Sequence, residues 1–583
     1  MGTVLIAVGA FFGYLIAYNT YGKFLARKVF ELDDAQPTPA HEFEDGQDFV
    51  PTRCEVLFGH HFASIAGTGP IVGPAIAIIW GWVPALLWVF FGAIFMGAVH
   101  DFSALVLSVR HQGRSMGDIA GDVVNGRVRT LFLLIIFFGL VIVIAIFCLV
   151  IARIFDMYPE SVFPVWIQLP IAMAIGHLVY RKGAKPLVLS LIGVAGVYAA
   201  IVIGAYWPLK MPEVLGLPPV IVWTAILLVY AYFASVLPVW RLLQPRDYIN
   251  GHQLFIALGL LLLGILLARP DIVAPAVDFS PEGAPPMWPM LFVTVACGAI
   301  SGFHCLVSSG TSSKQLGKQS HALPIGYGGM LTEGFLAVLV IIAVAAGIGM
   351  AREGVELSGV AAWREHYRSW GAAQGLGANI GAFVTGSANL LDAIGLPPKV
   401  GTVMMGVFVA CFAGTTLDTA TRLQRYVVAE LARGVGFKPL TTRHGATLFA
   451  VVTAAALAFP KKGTGGLILW PLFGATNQLL ACLALLVTSV YLHRRAKPFL
   501  ITLIPMCLMF AVTAWAMAYN LKTFFLDPSS GAWNPSWHLI LIGAVIMILE
   551  IWMVIESLAV MASGRKPSPA SSQRPPESGA RAS

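Results

Sequence analysis

Apolar runs of about 20 residues, the length that crosses a bilayer as a helix, recur along this chain from end to end. They centre near Phe11, Pro70, Phe95, Gly139, Met173, Val197, Leu228, Leu261, Ala299, Val338, Phe408, Ala454, Ala481, Phe510 and Met547. This pattern predicts about fifteen transmembrane helices. Stretches rich in Lys and Arg, at 23–28, 110–129, 181–185, 241–246, 314–318, 422–443 and 494–497, fall in every second loop, and the tail beyond Arg565 is basic too. Positive charge of this kind marks the cytoplasmic face, so the N terminus is expected outside and the C terminus inside. One apolar run, GAAQGLGANIGAFVTGSANLLDAIG at 371–395, breaks the alternation if it crosses. Its glycines suit a continuous spanning helix poorly, and it is predicted to be an outer-face helix or a re-entrant segment.

Composition points the same way. Of the 583 residues 57% are hydrophobic and 11% charged, with a mean hydropathy of +0.79; soluble domains carry roughly 25% charged residues. The chain reads as an all-α integral membrane protein. Its longest polar stretches, 31–53, 271–286 and 352–370, are too short to form a soluble domain, and the Pro/Ser-rich tail 563–583 reads as disordered. Lys23, Arg27 and Lys28 follow the first apolar run rather than precede it, which argues against a cleaved signal peptide. The formal net charge of +8 sits in the loops where topology needs it, so no nucleic-acid partner is implied. Seven cysteines, mostly inside apolar runs and without Cys-x-x-Cys spacing, read as small buried hydrophobes.

Nucleotide chemistry finds no motif. The nearest approach to a phosphate-cradling loop, GTSSKQLGKQS at 310–320, has its glycines too far apart and Gln319 where a hydroxyl is needed. Gly67, Gly69 and Gly73 are one residue off a dinucleotide fingerprint. His60, His61, His100, Asp101 and His304 lie in or beside spans, but there is no His-Glu-x-x-His, and adjacent histidines point to different sides of a helix. No metal site and no cofactor are expected. These side chains are either core groups satisfied by neighbouring carbonyls or the polar lining of a pathway or proton relay.

A different signal lies in GHHFASIAGTGPIVGPA. Pro70 and Pro74 remove amide donors, and Gly67 and Gly69 weaken the helix at membrane depth. Unpaired backbone groups there are tolerable beside protein or a water-filled cavity, and discontinuous helices of this kind build substrate sites in secondary transporters. An inverted repeat requires a second interruption an odd number of spans later. The seventh span, with Pro238 in its apolar run and Trp240, Arg241, Arg246 and Asp247 at its end, is the expected counterpart.

These segments, with HDFSALVLSVRHQGRSMGDIAG, SVLPVWRLLQPRDYIN, SGFHCLVSSGTSSKQL and TTLDTATRLQRY, resemble the carbon starvation protein A (CstA) family over most of the chain. The resemblance implies a transporter of small peptides or pyruvate linked to carbon starvation, grouped with the amino acid–polyamine–cation superfamily.

The expected architecture is a peripheral first helix (1–30), two inverted five-helix repeats (55–206 and 219–425), peripheral helices (444–562) and the tail. It would import peptide or pyruvate across the inner membrane by alternating access, as a carrier and not an enzyme. Gly67, Thr68, Gly69 and Pro70 would present backbone groups to a substrate carboxylate, with Ser235, Pro238 and Trp240 forming the opposite wall. His60, His61, Asp101 and His304 are candidates for proton coupling. Ser308, Ser309, Thr311, Ser312 and Ser313 offer hard oxygen ligands for a sodium ion, or merely cap a helix end, with Lys314 able to take a cation's place. A membrane-embedded sensor without net flux is the alternative of a different class.

Overall fold

The computed structural model describes residues 2–351, 357–460, 470–526 and 532–562. The expected disordered tail, 563–583, lies outside them. Among the described residues every regular element is helical, and 12 helices are long and apolar enough to cross a membrane, or up to 13 if a bent pair counts as one span.

In chain order these are α1 (Gly2–Val29), the bent pair α2 (Cys54–Ile65) and α3 (Gly69–Trp80), α4 (Trp82–Arg110), α5 (Gly126–Met157), α6 (Pro159–Lys182), α7 (Pro186–Tyr206), α8 (Pro219–Val236) and α9 (Leu243–Ala268). Three short pieces follow, α10 (Met287–Thr294), α11 (Ala296–Ala299) and α12 (Gly302–Gly310). Then come α13 (Gln319–Gly349), α14 (Leu376–Asp392), α15 (Pro398–Gly434), α16 (Arg443–Ala458), α17 (Leu472–Arg494), α18 (Leu500–Thr523) and α19 (Leu539–Val560).

Burial sorts these helices into two rings. The apolar windows of α5, α13, α15 and α17 are 83 to 100% buried, whereas those of α1, α6 and α19 are no more than 33% buried and turn their side chains outward. In a bilayer such outward apolar faces are solvated by lipid tails, and the inner helices hold together by packing and polar contacts.

Two places depart from continuous helix. Between α2 and α3 the chain bends by 45° at Ala66, Gly67 and Thr68, and Pro70 falls in the first turn of α3, where its missing N–H costs nothing. The second departure lies at 295–301, where Ile300 and Ser301 are extended between α11 and α12.

The second interruption is not at Pro238. That residue follows the end of α8 at Val236, in the turn that leads to α9, and the helices on either side are separately long enough to cross. A proline just after a helix end stops the helix instead of kinking it. The segment 371–395 forms α14, a helix of 17 residues that packs on α3, α13 and α15.

Candidate functional site

The two interruptions meet. α3 packs on α10 and α11 so closely that a Cβ at Gly69 would lie 2.3 Å from the Cys297 sulfur, and one at Gly73 would lie 2.5 Å from the Thr294 carbonyl oxygen. Only residues without a Cβ allow that approach. A cavity of about 550 Å³ reaches this crossing, with Gly69, Gly73 and Cys297 in its wall and Trp370, Gln374 and Asn534 among its other lining residues.

Polar groups gather at the crossing. The Thr68 hydroxyl is buried without a hydrogen-bond partner. At the start of α12 the Phe303 N–H donates to Asn477 Oδ1 at 2.9 Å, and Asn477 Nδ2 donates to Ser301 Oγ at 3.0 Å. Both α3 and α12 begin near the crossing, but only the start of α3, at Gly69, lines the cavity, since the first turn of α12 is capped by Asn477. An anionic group entering the cavity would meet the start of α3, the kind of helix end that binds carboxylates and phosphates elsewhere.

Two buried ionic networks flank the crossing, and the adjacent histidines of α2 reach one into each side. His60 Nδ1 lies 2.7 Å from Asp247 Oδ2, and Asp247 Oδ1 accepts from Arg246 Nη2 at 2.8 Å and from Thr415 Oγ1 at 3.2 Å. Arg246 also pairs with Asp418, and Tyr230 donates to Asp418 Oδ2 at 2.6 Å. On the other side His61 Nδ1 contacts Ser312 Oγ at 2.8 Å. Asp101 has one oxygen 2.7 Å from His100 Nδ1 and the other 2.8 Å from His304 Nδ1, and His304 Nε2 lies 3.4 Å from Glu333 Oε2. Apart from the partly buried Tyr230, all of these ionisable side chains are at most 3% exposed. Among the described residues no group of three or more His, Cys, Asp or Glu is arranged to hold a metal ion.

The expected residues divide by place. Gly67 sits beside Thr416 and Phe147, and Gly69 beside Cys297. Ser235, Pro238 and Trp240 do not face them. The Ser235 carbonyl accepts from Arg425, Arg241 N–H donates to the Pro238 carbonyl, and Trp240 Nε1 donates to the Gly46 carbonyl. Thr416 and Arg425 both lie on α15, and at 1.5 Å per residue the two groups are separated by about 13 Å along that helix. The reason is the turn at 237–242, which leaves Pro238 at the end of the bundle.

Around that turn the loop 45–52 closes the basic-loop end of the molecule. Asp48 Oδ1 accepts from Arg422 at 2.7 Å, and Val50 and Thr52 N–H groups donate to the Lys314 and Gln315 carbonyls. Burial alone would raise the Asp48 carboxyl, but Arg425 and Arg422 outweigh it and hold the group well below the usual carboxylate range. Lys314 lies over the Tyr426 ring at 4.0 Å. Of the five hydroxyls, Ser309, Thr311 and Ser313 donate to carbonyls one turn back, at Cys305, Val307 and Ser309. Ser312 goes to His61, and Ser308 donates to the Asp101 carbonyl at 3.4 Å.

Sequence reasoning missed Glu333, Asp418, Tyr230, Cys297 and Asn477, and it quoted Arg246 and Asp247 only as loop charges. A charge inside an apolar run is the signal that was available for Glu333 and Asp418.

The sequence carries its own comparison with known proteins. The family model described as Carbon starvation protein CstA matches residues 1–516. This chain belongs to that family. It is 34% identical over 576 residues to the peptide transporter CstA of Campylobacter jejuni, covering 88% of this chain and 80% of the relative. To the peptide transporter CstA of Bacillus subtilis it is 32% identical, with 92% and 93% covered. To the pyruvate/proton symporter BtsT of Escherichia coli it is also 32% identical, with 90% and 82% covered. These CstA-family relatives are named as transporters, not enzymes. Among solved structures the chain is similar to MhsT in complex with L-phenylalanine (14% identity, 88% of this chain and 99% of that one, TM-score 0.48). It is similar too to a point mutant of the Eremococcus coleocola manganese transporter (13%, 89% and 99%, TM-score 0.45).

Proposed function

We propose that this chain is a secondary active transporter that carries a small carboxylate-bearing solute, a peptide or pyruvate, inward across the inner membrane by alternating access. The observation that carries the reading is the meeting of two interrupted helices at a cavity of about 550 Å³ whose wall includes Gly69, at the N-terminus of α3, and Cys297, in the second interruption. Such a volume holds a small solute, and a helix N-terminus such as that of α3 is worth about 0.3–1 kcal/mol to an anion, more when partly buried. Gly67, Thr68, Gly69 and Pro70 supply the first backbone opening, and Cys297 supplies the facing wall, with Ser301 and Asn477 hydrogen-bonded behind it.

Fifteen spans result when α16 and the interrupted α10–α12 are added to the 13 already counted. The alternating basic loops then place the N terminus outside and the C terminus in the cytoplasm. Under that topology α2–α3 runs outward and α10–α12 inward, the antiparallel relation an inverted repeat needs. The second repeat is accordingly placed at 287–494 instead of 219–425. α8 and α9 lie between the halves, and α14 lies at the outer face.

Protons are the proposed coupling ion, through His60, His61, Asp101 and His304, which occupy buried networks on both sides of the crossing. The pyruvate/proton symporter among the relatives supports the same choice. The test is uptake of labelled pyruvate and labelled dialanine into proteoliposomes. Uptake of one of them should rise with an inward proton gradient, collapse with an uncoupler and ignore sodium. Flux indifferent to every ion gradient would overturn the coupling, and absence of flux for both solutes would overturn the transport reading.

A further inference from the structure

We propose that Glu333 is the group that carries the coupled proton, exchanging it with Nε2 of His304. This rests on the transport reading above and assigns its coupling residue.

Glu333 stands in the middle of α13 with no solvent exposure, and neither carboxylate oxygen has a hydrogen-bond partner. Its one polar neighbour at ion-pair distance is His304 Nε2, at 3.4 Å. The tautomer of that histidine is constrained from its other edge. Asp101 presents one oxygen to His100 Nδ1 and the other to His304 Nδ1, and as a carboxylate it accepts from both, which assigns the proton on each ring to Nδ1. His304 Nε2 is then left either as a bare acceptor or as the second N–H of an imidazolium. A bare acceptor opposite an ionised carboxylate repels it, and an isolated buried carboxylate is costly in this environment. The contact is favourable only when one proton is present, on Glu333 Oε2 or on His304 Nε2. When it passes between them the Oε2–H bond breaks and the Nε2–H bond forms, and nothing else changes hands. Asp101 is the fixed negative partner that makes the second state tolerable.

Among the described residues no other titratable group is at hydrogen-bond or ion-pair distance from Glu333, although the Ile65 carbonyl also faces the His304 ring. α3 and the first turns of α4, which also pack on α13, bring no titratable side chain to it. From α2 comes His61, whose ring lies 3.3 Å from where a Cβ at Gly329 would stand, one turn from Glu333. From α1 comes Tyr14, 2.8 Å from the corresponding position at Gly334. From α11 comes Cys297, next to Gly298, which packs on Ala337 one turn beyond Glu333. His100 and Asp101 face it from the far end of α4 through His304.

The placement also links the proton to the solute. His304 lies in the first turn of α12, immediately after the interruption at Ile300 and Ser301, whereas Glu333 belongs to the continuous helix α13. A movement of α12 at the interruption, as the solute binds or leaves, changes the 3.4 Å approach on which proton sharing depends.

The test uses the full-length protein in proteoliposomes, with whichever of labelled pyruvate and labelled dialanine the unaltered protein carries. Three quantities are read: solute exchange at equal pH, accumulation driven by an inward proton gradient, and proton entry reported by an internal pH dye. Glu333→Gln, which mimics the protonated state, should retain exchange but lose both gradient-driven accumulation and solute-dependent proton entry. Glu333→Asp should keep both, with a displaced pH profile. Accumulation by Glu333→Gln equal to that of the unaltered protein would overturn the proposal. So would loss of exchange in both variants at an unchanged melting temperature, which would make Glu333 a binding or packing group. If the unaltered protein carries neither solute, the transport reading fails first and this inference falls with it.

Discussion

Arg246, 3% exposed, is held between two carboxylates. It pairs with Asp247 and Asp418, His60 lies on the other oxygen of Asp247, and Tyr230 donates to Asp418. Removing the guanidinium strands two buried charges, which typically costs about 3–5 kcal/mol, whereas replacing the whole pair by apolar groups is far less damaging. Arg246→Ala should therefore lower the melting temperature in detergent by several degrees or more. The double variant Arg246→Met with Asp418→Leu should recover much of that loss. Equal losses in both would show that the cluster contributes nothing as a pair. Pairings of this kind define what one sequence can reveal about a site. Asp101 and His304 stood out as polar groups inside apolar runs, and they do lie together. Arg246 and Asp418 are 172 positions apart, and nothing in the run around either residue names the other.

At the scale of elements, the break at Gly67–Pro70 was legible because Gly and Pro write it into the backbone locally. The break at 295–301 was not. Its residues, VACGAIS, include no proline, and the chain is opened instead by contacts from elsewhere: Asn477 captures the Phe303 N–H, and the neighbouring helix α4 comes within reach of the Ala299 carbonyl at Gly97. Pro238 misled for the opposite reason, since a proline that ends one span and a proline that kinks it look alike in an apolar run. The fit between the two real breaks can be tested by compensation. A Cβ at Gly69 would meet Cys297 Sγ at 2.3 Å and its Cβ at 2.5 Å, atoms that glycine at 297 would lack. Gly69→Ala should abolish uptake, and Gly69→Ala combined with Cys297→Gly should restore a measurable part of it in the same proteoliposome assay. Failure of the second change to rescue would mean that the alanine acts through the α2–α3 bend and not through the contact between helices.

For the whole molecule the open question of topology comes down to one helix. The helices α5, α13, α15 and α17 are enclosed by the others, and in the proposed arrangement, which counts α10–α12 and α16 as crossings, the element to test is α14. At 17 residues it is, like the 16-residue α16, short against the roughly 20 that a hydrocarbon core of about 30 Å asks for, and what sets it apart is that counting it as a crossing moves the basic stretch 422–443 outside. The test needs three single cysteines at exposed positions, Lys182 at the end of α6 and Ser280 and Gly436 in loops, in a background freed of Cys54 and Cys507, the cysteines that are not buried. From Lys182 to Ser280 the chain passes α7, α8 and α9, an odd number, so these positions should label from opposite faces. From Ser280 to Gly436 it passes α10–α12, α13 and α15, again an odd number, provided that α14 stays on one face. Lys182 and Gly436 should then label together, from the cytoplasm, and Ser280 alone from outside. If α14 crosses, Gly436 moves to the face of Ser280. The basic residues Arg422, Arg425 and Arg443 would then stand outside, against the charge rule. The antiparallel relation between the two interrupted helices would survive, because both precede α14, but the second half from α15 onward could no longer mirror the first.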